Sequence, residues 1–142
     1  MYDSIPIRVY IKEVDNALDF IKKTLKIAGN ASMSLMHSQI TRDEYKKMAE
    51  AGIQNMEMVK ANLSRISPPC NTTGPAKFKS VHRNLLLAIE RYKEAFSEMI
   101  KYSDDLRIFH ITKATDYIKD YGNGYIKAVD AELRILKKEF LK

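Results

Sequence analysis

Three histidines, one cysteine and a run of carboxylates are the residues with which this 142-residue chain could carry out chemistry. Their spacing argues against most of it. His37, His82 and His110 stand far apart, and no His-x-x-x-His, Cys/His cluster or Glu-x-x-His pair supplies the same-face geometry of a metal or di-iron site. No metal and no cofactor is therefore expected. Cys70 would need a partner base and a lowered pKa to act as a nucleophile; lying in a proline-rich break, it reads as an incidental loop thiol. Glu90, Glu94 and Glu98 recur at i, i+4 and i+8 beside Arg91, Lys93 and Lys101. That is the pattern of a solvated ion-pair face, not of two carboxylates held in unequal environments for acid–base work. No catalytic residue is expected, and the chain reads as a non-enzyme.

Binding residues are easier to nominate. His82 is the polar member of an otherwise apolar stripe with Phe78 and Leu85, either a core histidine with one ring nitrogen satisfied or a ligand-contacting, pH-sensing group. Tyr117, Tyr121 and Tyr125 form a ladder at four-residue spacing, with Gly122 and Gly124 set inside it. Met33, Met36, Met48, Met56 and Met58 cluster earlier in the chain. Core filling accounts for both groups, yet tyrosine joins a rigid apolar ring to a polar tip and methionine repacks easily, so both suit adaptable surfaces. The expected contact residues for a ligand or protein partner are Tyr117, Tyr121, Tyr125, His82, Gly122 and Gly124.

Charge adds an alternative partner. Lys and Arg number 24 against 18 Asp and Glu, a net charge of +6, dispersed along every segment and sufficient to keep the chain soluble. Lys113, Lys119 and Lys127 flank the tyrosine ladder as a nucleic-acid surface would require, but Asp116 and Asp120 interleave with them and weaken the field. The favoured function is thus a non-catalytic helical binding or interaction domain, monomeric or weakly self-associating. The alternative is a small basic helical subunit of a nucleic-acid-binding complex.

These residues must be positioned by helices. Ile7, Ile11, Val14, Leu18, Ile21, Leu25, Ala28 and Leu35 keep a 4-3 spacing, broken by Ser32, over a first helix of about 5–38. Thr41-Arg42-Asp43-Glu44 is a capping box that starts a second helix. Its seam of Tyr45, Ala49, Gly52, Met56, Val59, Leu63 and Ile66 carries it over about 42–66, until Pro68-Pro69 removes donors. After the break Ser67–Pro75, a third helix of about 76–103 follows on Phe78, Leu85, Ile89, Tyr92, Phe96 and Met99. A fourth, about 105–141 and capped by Asp104 or Asp105, follows on Leu106, Ile111, Ile118, Tyr125, Val129, Leu133, Leu136 and Phe140. The fold expected is all-α: a single domain built as an elongated up-down-up-down four-helix bundle, roughly 40 to 50 Å long. Gly29-Asn30 and Gly122-Asn123-Gly124 are expected to interrupt the first and fourth helices, as kinks, close backbone approaches or true ends.

Pro68-Pro69 leading to His82-Arg83-Asn84-Leu85-Leu86-Leu87-Ala88-Ile89-Glu90-Arg91-Tyr92, together with Gly122-Asn123-Gly124-Tyr125-Ile126-Lys127-Ala128, resembles the mature helical domains of small exported lipoproteins from Gram-positive bacteria. The likeness covers about the second half of the chain. It implies an extracytoplasmic location if a leader has been removed, and it supplies no site residues. Met1-Tyr2-Asp3-Ser4-Ile5-Pro6 lacks the basic end and apolar stretch of a signal peptide, which otherwise implies a cytoplasmic chain. No apolar run approaches the roughly 18 residues of a membrane span.

Overall fold

The computed structural model describes residues 6–66 and 75–141. The first five residues, Lys142 and the break 67–74, with Cys70 and Asn71-Thr72-Thr73, lie outside the described residues. The described chain forms α1 (Ile7–Met36), α2 (Arg42–Ser64), α3 (Pro75–Asp105), α4 (Ile108–Asp116), a π-helical turn (Tyr117–Gly122) and α5 (Asn123–Phe140). The last three run on as one rod, so four helices pack as an up-down-up-down bundle. Cross-links between neighbours fix the antiparallel order. Asp15 meets Lys137 and Lys22 meets Asp130 between α1 and α5, while Lys60 meets Glu90 and Glu57 meets Lys93 between α2 and α3.

The second seam is observed as expected from Tyr45 to Leu63, with Tyr45, Ala49, Gly52, Met56, Val59 and Leu63 all buried, whereas Ile66 is half-buried and lies past the end of α2. Its start carries the capping box: Thr41 Oγ1 accepts from the Glu44 N–H at 3.1 Å, and Glu44 Oε1 accepts from the Thr41 N–H at 3.1 Å. Arg42, one residue on, donates to the carbonyls of Ser103 and Asp104 at 2.9 and 2.6 Å and so closes the C-terminus of α3. In α1, Ser32 interrupts the apolar stripe because its hydroxyl donates to the Ala28 carbonyl and pairs with the Tyr45 hydroxyl, each at 3.0 Å. Tyr10, absent from the expected seam, is fully buried beside Phe78.

Several expectations are corrected. Gly29-Asn30 does not interrupt α1, which winds through it unbroken. An exposed glycine costs a helix only about 1 kcal/mol, far less than the burial of the seam on either side. α3 runs on to Asp105, and α4 begins at Ile108 with Arg107 at its N-cap position and no capping side chain. Asp105 serves the turn instead, where its Oδ1 accepts from the Arg107 N–H at 2.9 Å. Of the five clustered methionines Met33, Met36, Met48, Met56 and Met58, only Met56 is fully buried; Met33, Met36 and Met58 are exposed.

The fourth seam departs from the expected one in its first half. Leu106 is exposed and Ile111, Ile118 and Tyr125 are half-buried, while His110, Ala114, Gly122 and Ile126 are buried. From Val129 onward the expected positions Val129, Leu133 and Leu136 are buried. A π turn holds an extra residue relative to the α-helix, so the stripe shifts register across Tyr117–Gly122. A uniform α period projected through that turn lands one residue off.

Candidate functional site

The tyrosine ladder lies on this π turn. Tyr117 and Tyr121 pair with ring centroids 6.2 Å apart; Tyr121 is 52% exposed, whereas Tyr117 and Tyr125 are half-buried against the core. Gly122 does not break the helix. It is buried because the ring of Tyr92, on α3, packs on it, and a β-carbon there would sit 2.9 Å from Tyr92 Cδ1. The Tyr92 hydroxyl donates to Asn123 Oδ1 at 2.8 Å, clasping the C-terminal end of the π turn. Gly124 faces open space.

Tyr117 also lines a polar groove of about 350 Å³ with Glu90, Lys93, Glu94, Ser97, Glu98 and Lys101 of α3. A second, apolar-floored groove of about 480 Å³ is lined by Leu86 and Leu87, with His82, Lys60, Lys79, Arg83 and Glu90 around them. Glu90 lines both grooves, so they meet, and two residues nominated separately, His82 and Tyr117, belong to one strip along α3. Lys60 bonds Glu90 at 2.7 Å. That bond, first among its causes, holds the Glu90 carboxyl below the usual range.

His82 Nδ1 lies 3.0 Å from the Tyr10 hydroxyl. Burial pushes the Tyr10 phenol up and the His82 imidazole down. Both groups are therefore held in their neutral forms, joined by a single hydrogen bond whose donor follows the tautomer of the His82 ring. His82 is thus half-buried, anchored on one side and adjacent to the apolar groove on the other.

The sequence reading missed His110. It is buried between two carboxylates, with Nδ1 2.8 Å from Glu98 and Nε2 3.0 Å from Asp105. The Glu98 bond raises its pKa, burial opposes that, and Asp105 adds to the rise. Glu98 is not part of a solvated face. It is 6% exposed, and although burial works to raise its pKa, the bonds from His110 and Lys101 bring it below the ordinary value. The spacing His110–Ala114 at i, i+4 held the signal, but the register shift in the π turn hid it. Both ring nitrogens are spent on the carboxylates, and among the described residues no group of His, Cys, Asp and Glu is placed to hold a metal ion. The cluster pins the first turn of α4 to α3.

These features define an all-α four-helix bundle with a clasped π turn and a groove-lined face on α3. No protein-family model, curated protein or solved structure matches the chain.

Proposed function

We propose that this chain is a non-catalytic binding domain whose contact surface is the strip along α3, from the His82 groove through Glu90 to Tyr117 and Tyr121. The supporting observation is that the two grooves share Glu90 and so offer one continuous face. Between His82 and Lys101 the strip is about 28 Å long at 1.5 Å per residue, the reach of a partner helix. Leu86, Leu87 and the half-exposed Tyr121 would serve as apolar anchors, and Lys60, Lys79 and Arg83 would favour an acidic partner. Tyr121 sits on a π turn, a distortion frequent at functional sites.

Site-specific photo-crosslinking in cells tests this reading. A crosslinking residue at Leu86 or Tyr121 is expected to capture the same discrete partner, and one at the exposed Arg134 to capture none. Adducts at all three positions, or at none, would sink it. Tyr121→Ala is expected to abolish capture at Leu86 while costing well under the roughly 3 to 5 kcal/mol of a buried aromatic truncation. The nucleic-acid alternative is supported by Lys113, Lys119 and Lys127, all exposed. It requires RNA or DNA binding that falls steeply with added salt.

A further inference from the structure

The α3–α4 turn runs against ordinary turn chemistry. Gly, Asn, Asp or Ser usually stand in such a place; here the turn is Leu106-Arg107 and leads into Ile108-Phe109 at the start of α4, and Leu106, Ile108 and Phe109 are 45, 68 and 47% exposed. Leu106 also holds a φ of 57°. That is the left-handed conformation that closes helix C-termini and normally belongs to glycine, because a β-carbon there crowds the following carbonyl. Its N–H donates to the Tyr102 carbonyl at 2.8 Å, the bond of such a cap. Glycine would relieve the strain and remove the exposed apolar group together. Strain kept where a plain residue would relieve it points to use.

The bonds from Arg42 to the end of α3 place the α1–α2 turn at the same end of the bundle. There Met33 and Met36, in the last turns of α1, are also exposed, so five of the eleven exposed large apolar side chains among the described residues stand at this end. Its acids are engaged within the protein. Asp104 pairs with Lys46 and Asp43 with Lys47, Asp105 holds His110, and Glu44 closes its capping box. Arg107 has no ion-pair partner among the described residues, and Lys113 Nζ lies 5.7 Å from the Phe109 ring centroid. Exposed apolar side chains on this turn and the first turn of α4, beside Arg107 and Lys113, which form no ion pair among the described residues, suit a medium that closes around them. A protein partner would need a matching pocket, whereas the interfacial layer of a bilayer supplies the apolar contact and anionic headgroups meet the cations.

We propose that this end of the bundle, led by Leu106, Ile108 and Phe109, docks into the surface of an anionic lipid bilayer. It lies in the interface without crossing it, in keeping with the absence, among the described residues, of any helix long and apolar enough to span a membrane. This surface is separate from the α3 strip and stands or falls independently of it.

The chain contains no tryptophan, so Phe109→Trp gives a single-site probe in the full-length protein. Its emission is expected to shift to the blue on adding vesicles of phosphatidylcholine mixed with phosphatidylglycerol, and not with phosphatidylcholine alone; Tyr121→Trp should not respond. The double variant I108S/F109S leaves the net charge unchanged and should weaken cosedimentation with the anionic vesicles by about tenfold or more. Leu106→Gly should raise the thermal midpoint and weaken vesicle binding. Undiminished binding by I108S/F109S would reduce the effect to general attraction of a cationic chain and overturn the proposal. So would an equal shift with both lipid mixtures. A blue shift without vesicles that grows with protein concentration would assign this end to a second copy of the chain and overturn it as well.

Discussion

Tyr92 lays its ring against Gly122 and reaches past it to donate its hydroxyl to Asn123 Oδ1 at 2.8 Å. One helical turn further along α3, Phe96 lays its ring against the other neighbour, where a β-carbon on Gly52 would lie 2.6 Å from Phe96 Cδ1. The central helix therefore docks a large ring onto a glycine on each side. Each glycine acts through what it lacks, since the missing β-carbon is the space the ring fills.

That relationship separates two glycines that stand two residues apart. Gly122→Ala must displace a ring that is 1% exposed; overpacking of this kind costs about 1 to 3 kcal/mol, more than the gain of about 1 kcal/mol from replacing glycine in a helix. Gly124→Ala meets nothing within 4 Å and keeps the whole gain. Urea denaturation should find the first variant destabilised and the second stabilised. Equal stabilisation of both would show that the Tyr92 ring yields freely.

The π turn makes a second contrast. Deleting Lys119, exposed in the turn, removes the extra residue and lets the rod wind as a continuous α-helix with His110, Ala114, Ile126 and Val129 still on one face. Deleting Ala131, exposed in α5, instead rotates Leu133 and Leu136 by about 100° out of the core, at about 2 to 5 kcal/mol for each lost side chain. Circular dichroism and thermal melting should show the Lys119 deletion folding cooperatively and the Ala131 deletion not. Were the Lys119 deletion to unfold the protein, the π turn would be a structural necessity, and its value as a sign of function would go.

The sequence made three helices legible because their seams keep one period and their ends carry chemistry, as in the box of Thr41 and Glu44. The fourth was only half legible, since Ile111, Ile118 and Tyr125 follow a period that the π turn breaks. The π turn leaves no local mark, as its stabilisation comes from Tyr92 thirty residues away. Gly29 misled in the opposite sense. Its composition resembles that around Gly122, yet no ring from another helix lands on it. For the candidate site, the apolar neighbours of His82 were visible, but its bond to Tyr10 crosses the bundle diagonal and no spacing encodes that. Glu98 looked solvated because its charge pattern matched Glu90 and Glu94; only the arrival of His110 from the next helix buries it.

The buried His110 and the half-buried His82 should pull stability in opposite directions with pH. His110 has a folded pKa above its unfolded value, with the Glu98 bond as the leading cause, opposed by burial and aided by Asp105. Its contribution is complete below the ordinary histidine value of about 6.5 and is lost as pH rises through the raised value. His82 has a folded pKa below its unfolded value because burial disfavours its charged form. It costs nothing above about pH 6.5, and its penalty grows as pH falls from there toward the lowered value. Glu98 and Asp105, both held below the usual carboxylate range, keep their contribution until pH falls through their depressed values. Denaturation of the wild type between pH 5 and 9 therefore sums a loss on the alkaline side from His110 and a loss on the acid side from His82. His110→Gln should flatten the alkaline decline and His82→Gln the decline just below neutrality, and NMR titration of the two rings should place their midpoints on opposite sides of the unperturbed value. If His110 titrated below that value, the Glu98–His110–Asp105 cluster would be held in its neutral form, and the pinning of α4 to α3 could not rest on the charge that this geometry implies.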